Sequence, residues 1–195
     1  DYVYLPLHVQ PEAAIDVLGR EYSDQFNFVK KCSESLPLNF ILVVKDHPHD
    51  FGRKKAKFYD KIKKIPNCIL INPKVDSHNL IKHSSLVITV AGTASLEASL
   101  MMVPAITAIK MYYSKLLVRE SFNPNIDSIN DILNDAKLKW KIYRNSNEYK
   151  KNIMNILNHR FVGSVGATDI DKNVINNKNL DRIRKMFNDI VNKFD

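Results

Sequence analysis

Residues 86–90, Leu-Val-Ile-Thr-Val, form a nearly continuous apolar run rich in β-branched side chains, and Gly92 follows it. Such a run reads as a strand buried on both faces, which an isolated hairpin cannot provide. Residues 93–101 are good or tolerable helix formers. Strand, tight turn and helix make one half of a βαβ unit, and the alternation recurs along the first half of the chain. Further strands are expected over 2–7, 39–45, 68–72 and 104–109, with helices over 22–36, 51–65 and 76–83. Residues 13–18 read as a short helix or an irregular segment. Five strands alternating with helices imply an α/β fold. Its centre is a Rossmann-like parallel sheet of about five strands, with helices on both faces and right-handed crossovers.

Past residue 110 the alternation stops. Helices are expected over 126–140, 147–161 and 179–194, with a loop over 162–171. The last helix carries Leu180, Ile183, Phe187, Ile190, Val191 and Phe194 on one face, a packing surface. The expected organisation is a Rossmann-like domain over 1–125, with C-terminal helices over 126–195 packed on it.

Ligands of such sheets bind beyond the carboxyl ends of the strands, where the strand order reverses. Three polar clusters fall at those ends: His8, Gln10 and Glu12; Lys45 and His47; Gly92, Thr93, Ser95 and Glu97. With strand order 3-2-1-4-5, the first and third lie on neighbouring strands. A Gly turn leading into a helix leaves backbone N–H groups free and adds the positive end of the helix dipole, which suits a phosphate. The plainer reading is an ordinary βα turn. The coincidence of three clusters at one rim says more than any of them singly.

A net charge of +8 favours anionic partners. Residues 53–64 carry Arg53, Lys54, Lys55, Lys57, Lys61, Lys63 and Lys64. That run reads first as a solvated helix face. Its second reading is peripheral attraction to an anionic membrane surface. Cys32 and Cys68 belong to no C-x-x-C or His-rich metal pattern, which fits a reducing, cytoplasmic compartment. No signal peptide and no membrane-length apolar run occur. Nucleic acid is not an expected partner, because no RRM, KH or helix-turn-helix signature is present. The chain opens directly into a strand, so it is expected to be a piece of a longer protein.

Three motifs carry a specific resemblance: Tyr-Leu-Pro-Leu-His-Val-Gln-Pro-Glu (4–12), Val-Lys-Asp-His-Pro (44–48) and Val-Ile-Thr-Val-Ala-Gly-Thr-Ala-Ser-Leu-Glu-Ala (87–98). In order and spacing they resemble the donor-binding half of capsule polysaccharide biosynthesis proteins. These are GT-B glycosyltransferases that include enzymes using CMP-activated Kdo. The His-Pro pair and the following turn also resemble nucleotide-binding motifs of bacterial GT-B sialyltransferases.

The resemblance covers residues 2–110 and implies a nucleotide-sugar-binding domain whose N-terminal acceptor domain is missing. It also implies a saccharide or glycolipid acceptor. Lys45, His47, Pro48, Gly92, Thr93, Ala94, Ser95 and Glu97 would then bind the nucleotide, with Glu97 at the ribose. His8 and Glu12 would serve catalysis near the donor sugar. No cofactor is expected, and the transfer is expected to be metal-independent, since helix N–H groups, hydroxyls and a His can stabilise a leaving phosphate. Two alternatives stay open: an enzyme resembling UDP-N-acetylglucosamine 2-epimerases, and a non-catalytic scaffold domain.

Overall fold

The computed structural model describes residues 1–50, 52–158 and 181. It divides into two compact units, Asp1–Ile153 and Met154–Asp195. The loop expected over 162–171, most of the 179–194 helix and the end of the 147–161 helix lie outside the described residues. Residues 126–153 share the first unit with the sheet.

Five parallel strands make one sheet: β1 (Tyr2–Pro6), β2 (Ile41–Lys45), β3 (Cys68–Ile71), β4 (Leu86–Thr89) and β5 (Ala105–Thr107). Their order is β3-β2-β1-β4-β5, so the chain reverses direction across the sheet between β1 and β4. Pairing sets Val3 beside Leu42 and Leu86, and Val87 beside Ala105. All four residues of β4 are buried, as its unbroken apolar run requires. Val3, Leu5, Leu42, Val44, Leu86, Ile88 and Ile106 form the centre of the core. Each side chain of this size contributes about 1.5–3 kcal/mol by leaving water.

The connecting helices are α1 (Gln25–Glu34), α2 (Ala56–Lys63), α3 (Ser77–His83) and α4 (Ala94–Leu100). Caps place several starts later than apolar spacing alone suggests. Asp24 accepts the Asn27 amide at 3.1 Å, so α1 begins at Gln25 rather than at 22. Residues Ala14–Leu18 form a short π-helical turn. The helix expected over 51–65 begins only at Ala56. Pro48–Asp50 forms a single 3-10 turn, and Gly52 takes φ +86°, a left-handed conformation that no helix start accommodates.

After β5 come α5 (Ile129–Asp135), a π-helical turn over Ala136–Trp140, α6 (Lys141–Tyr143) and α7 (Asn147–Asn158). Ser128 caps α5, which moves its start from 126 to 129. Trp140 donates its indole N–H to the Leu116 carbonyl at 3.0 Å. Tyr149 donates its hydroxyl to the Ser99 carbonyl at 2.7 Å. The first bond fastens the turn over Ala136–Trp140 to the segment after β5, and the second fastens α7 to α4. Among the described residues no helix is long and apolar enough to cross a membrane.

Candidate functional site

Backbone pairing continues past the strand ends. Leu7 donates to the Lys45 carbonyl at 2.8 Å, and Ala108 donates to the Thr89 carbonyl at 2.9 Å. The chain therefore leaves the sheet at one level on β2, β1 and β4, and the three polar clusters emerge side by side.

His8 joins two of them. Its ring is buried, and Nε2 accepts the Ala91 amide at 3.3 Å. Burial, with the His47 and Lys54 charges nearby, lowers its pKa from 6.5 to about 4, so it is neutral near pH 7 with its proton on Nδ1. A Cβ on Gly92 would stand 3.3 Å from His8 Cε1, so the missing side chain there makes room for the ring. Gln25 pins the His8 backbone from both sides, accepting its N–H at 2.7 Å and donating to its carbonyl at 3.1 Å. Gln10 is occupied with Asp16, Ser23 and Gln25. Glu12 is exposed, and its carboxylate partly offsets the lowering of the pKa of the nearby His47.

The second cluster centres on His47. Its amide donates to Asp46 Oδ1 at 2.9 Å, and its Nδ1 accepts the His49 amide at 3.2 Å. Partial burial and His49 lower its pKa, against Glu12, Asp46 and Asp50. A neutral ring with Nδ1 accepting carries its proton on Nε2, which leaves Nε2–H as a donor for a ligand. Pro48 is exposed and opens the turn that follows, which ends on the buried Asp50.

Lys45, expected at the nucleotide, is bonded within the protein at the carboxyl end of β2. It is 3% exposed and its ammonium donates to Ser77 Oγ at 2.6 Å, beside Asp76 at the start of α3. Lys54 departs further from expectation. It is no part of a solvated or membrane-facing helix, because its ammonium is buried against Asp46, Asp50 and the His8 carbonyl.

At the third cluster Thr89 Oγ1 accepts the Gly92 amide at 3.1 Å. Three oxygens close a triangle inside the turn: Ser95 Oγ lies 2.8 Å from the Gly92 carbonyl, Tyr113 Oη lies 2.7 Å from it, and the two hydroxyls stand 3.0 Å apart. Ser95, expected at the nucleotide, is fully buried, and its hydroxyl is engaged inside the turn. The planar peptide has the opposite consequence for Thr93: with the Gly92 carbonyl held inward, the Thr93 N–H points outward. Among the described residues no acceptor takes the Thr93 or Ala94 amide. Thr93 Oγ1 donates to Glu97 Oε1 at 3.3 Å, and Glu97 Oε2 lies 3.8 Å from His78 Nε2.

The structure thus brings His8, Lys45, His47, Gly92, Thr93, Ala94 and Glu97 to the carboxyl end of the sheet, with Ser95 buried inside the turn. Sequence reasoning missed Gln25, Asp46, Asp50, Lys54, Tyr59 and Tyr113. Of these only Asp46 sat inside a recognised motif. Among the described residues no cluster of three or more His, Cys, Asp or Glu side chains could hold a metal ion. The expectation of metal-independence leaves out one Asp-x-Asp pair, Asp169 and Asp171, which lies outside the described residues.

With this geometry in hand, comparison with known proteins gives one family. The family described as lipid-A-disaccharide synthetase matches residues 13–179. No curated protein matches. Among solved structures, a Listeria monocytogenes protein provisionally named UDP-N-acetylglucosamine 2-epimerase aligns with a TM-score of 0.50 and 22% identity, over 80% of this chain and 43% of its own. An S. aureus MnaA–UDP co-structure aligns with a TM-score of 0.51 and 19% identity, over 81% of this chain and 43% of its own. At these identities the likeness is one of fold. The chain spans less than half the length of either structure.

Proposed function

We propose, from the premise that the chain belongs to the lipid-A-disaccharide synthetase family, that its carboxyl rim binds the nucleotide-sugar donor of a two-domain GT-B glycosyltransferase. One observation carries the reading. The Thr93 and Ala94 amides, which no acceptor among the described residues takes, and His47, whose Nδ1 is already occupied, lie at the carboxyl ends of strands on either side of β1. Three neutral donors of this kind suit an anion whose charge grows as the sugar leaves. They are preorganised by the fold and need no reorganisation during the reaction.

In this reading His47 contacts the phosphate, with Pro48 setting its turn; Thr93 and Ala94 supply backbone donors, and Gly92, whose own N–H serves Thr89, shapes the turn. Glu97 accepts from the ribose hydroxyls. Lys45 and Ser95 act from behind, through Ser77 and Gly92. His8 holds the Ala91 amide, while the exposed Glu12 carboxylate is free to face the donor sugar. The acceptor is a saccharide or glycolipid, bound by a domain that precedes this one. The exposed ammonium groups of Lys55, Lys57, Lys61, Lys63 and Lys64 support peripheral contact with an anionic membrane from the cytoplasmic side.

The MnaA–UDP co-structure supports a UDP-activated donor. A CMP-activated donor such as CMP-Kdo, in capsule assembly, is the second reading, supported by the motifs at 4–12, 44–48 and 87–98. Calorimetric titration with UDP, CMP, GDP and ADP tests both. Selective UDP binding is the expected result. Selective CMP binding moves the donor to the Kdo type, and binding of none of the four overturns the nucleotide-sugar reading.

A further inference from the structure

Beneath the rim lies a group of charges that the donor site as described does not use. Lys54 Nζ donates to Asp46 Oδ1 at 2.9 Å, to Asp50 Oδ2 and to the His8 carbonyl at 3.3 Å. Its side chain is 10% exposed, and those of Asp46 and Asp50 are 1% and 0% exposed. Three acceptors meet the three donors of one ammonium, a fit that the planar fork of an Arg would not reproduce. Tyr59 donates to the second oxygen of Asp46 at 2.6 Å.

The bonds lead to all three rim segments. Asp46 Oδ1 also accepts the His47 amide, so Lys54 holds the loop after β2 through Asp46. The His8 carbonyl ties Lys54 to the loop after β1. His8 in turn holds Ala91, at the turn after β4, through Nε2. One buried cation therefore stands behind His8, His47 and the Gly92 turn together.

The group is poorly suited to stability alone. Two buried carboxylates share a single ammonium, and among the described residues Asp50 Oδ1 has no hydrogen-bond partner. Apolar side chains of similar size commonly do as well or better in such places. What the charges supply is a fixed relation between loops that make no regular structure of their own.

We infer that Lys54 is a positioning residue that sets the spacing of His47 and the Ala91–Gly92 turn for the donor site; the inference rests on the nucleotide-sugar reading above. The test pairs Lys54→Met with Asp50→Asn, because Lys54→Met alone would strand two buried carboxylates and could prevent folding. The double variant leaves the net charge of the group unchanged. Amide NMR and thermal unfolding of the 195-residue chain are followed by titration with UDP, CMP, GDP and ADP.

The expected result is a melting temperature within a few degrees of wild type, displaced His47 and Ala91 amide signals, and unmoved signals in β4. Affinity for the nucleotide that wild type binds falls about tenfold, the size of one lost hydrogen bond to a charged group. A folded double variant with unmoved His47 and Ala91 signals, or with wild-type affinity, overturns the role of Lys54 and leaves the donor reading standing. A wild-type chain that binds none of UDP, CMP, GDP and ADP overturns the donor reading and this role with it.

Discussion

Tyr113 donates its phenolic hydroxyl to the carbonyl of Gly92 at 2.7 Å, across 21 residues of sequence and two elements of the fold. The ring is fully buried, and burial pushes its pKa up to about 12, so the hydroxyl is a neutral donor at every physiological pH. Through the planar peptide this bond decides where the Thr93 N–H points. Tyr113→Phe keeps the ring and removes the donor. It should cost about 1 kcal/mol of stability, measured by urea denaturation, since Ser95 Oγ still serves Gly92. UDP affinity should fall while uridine affinity holds, because only the phosphate contacts depend on the turn. Equal losses for the two ligands would remove Tyr113 from the phosphate side of the site.

Gly19 presses on the end of β4. A Cβ there would stand 2.6 Å from Val90 Cγ1 and 3.1 Å from the Ala14 carbonyl. Gly19→Ala should therefore destabilise by about 1–3 kcal/mol through overpacking. Val90→Ala opens the space, so in the double variant the two costs should fall short of their sum. Strict additivity in denaturant midpoints would show that the loop moves aside without strain.

Stability should depend on pH through His8. Its folded pKa is about 4 against 6.5 in the unfolded chain, chiefly through burial. Below pH 6.5 the unfolded chain takes up a proton that the folded chain refuses. Stability is therefore full above pH 6.5 and falls as pH drops toward 4, by up to about 1.4 kcal/mol per unit. His47 is shifted the same way and adds to the slope, while Asp76 and Asp135, depressed by their partners, act at lower pH. His8→Gln should flatten most of the slope between pH 6.5 and 4 in thermal melts. An unchanged slope would assign it to other groups.

Glu97 sits one turn beyond the outward amides, held by Thr93 and near His78. If its carboxylate accepts from ribose, Glu97→Gln should weaken UDP about tenfold and 2′-deoxy-UDP less. Calorimetry on both ligands reads the difference. Identical losses would exclude the ribose role.

Much of the fold was legible before any coordinates. The apolar runs ending at Lys45 and Thr89 could only be buried strands, and five such runs alternating with helical stretches allow few sheets. Helix starts were less legible, because Asp24, Ser128 and Gly52 override apolar spacing with caps and a left-handed turn. Within the site, residues on the strand ends could be placed at the rim, since topology alone carries them there. Which way each side chain turns was another matter. Lys45 and Ser95 look like ligands in the linear motif, yet each finds a closer partner inside, in Ser77 and Gly92. Lys54 looks like one more surface lysine among seven cations.

By itself the sequence determined the parallel sheet, its carboxyl rim and the three motifs that meet there. Hydrophobic periodicity and chain connectivity are local properties, and a short window of residues expresses them fully. The tertiary structure alone decided that His8 would be neutral, that Tyr113 would orient the Thr93 amide and that Lys54 would link two loops to the rim. These outcomes depend on burial and on the bonds Tyr113–Gly92, Lys54–His8 and His8–Ala91, which span 21, 46 and 83 residues of the chain. Only the folded packing brings such groups within hydrogen-bond distance and removes the water that would otherwise satisfy them.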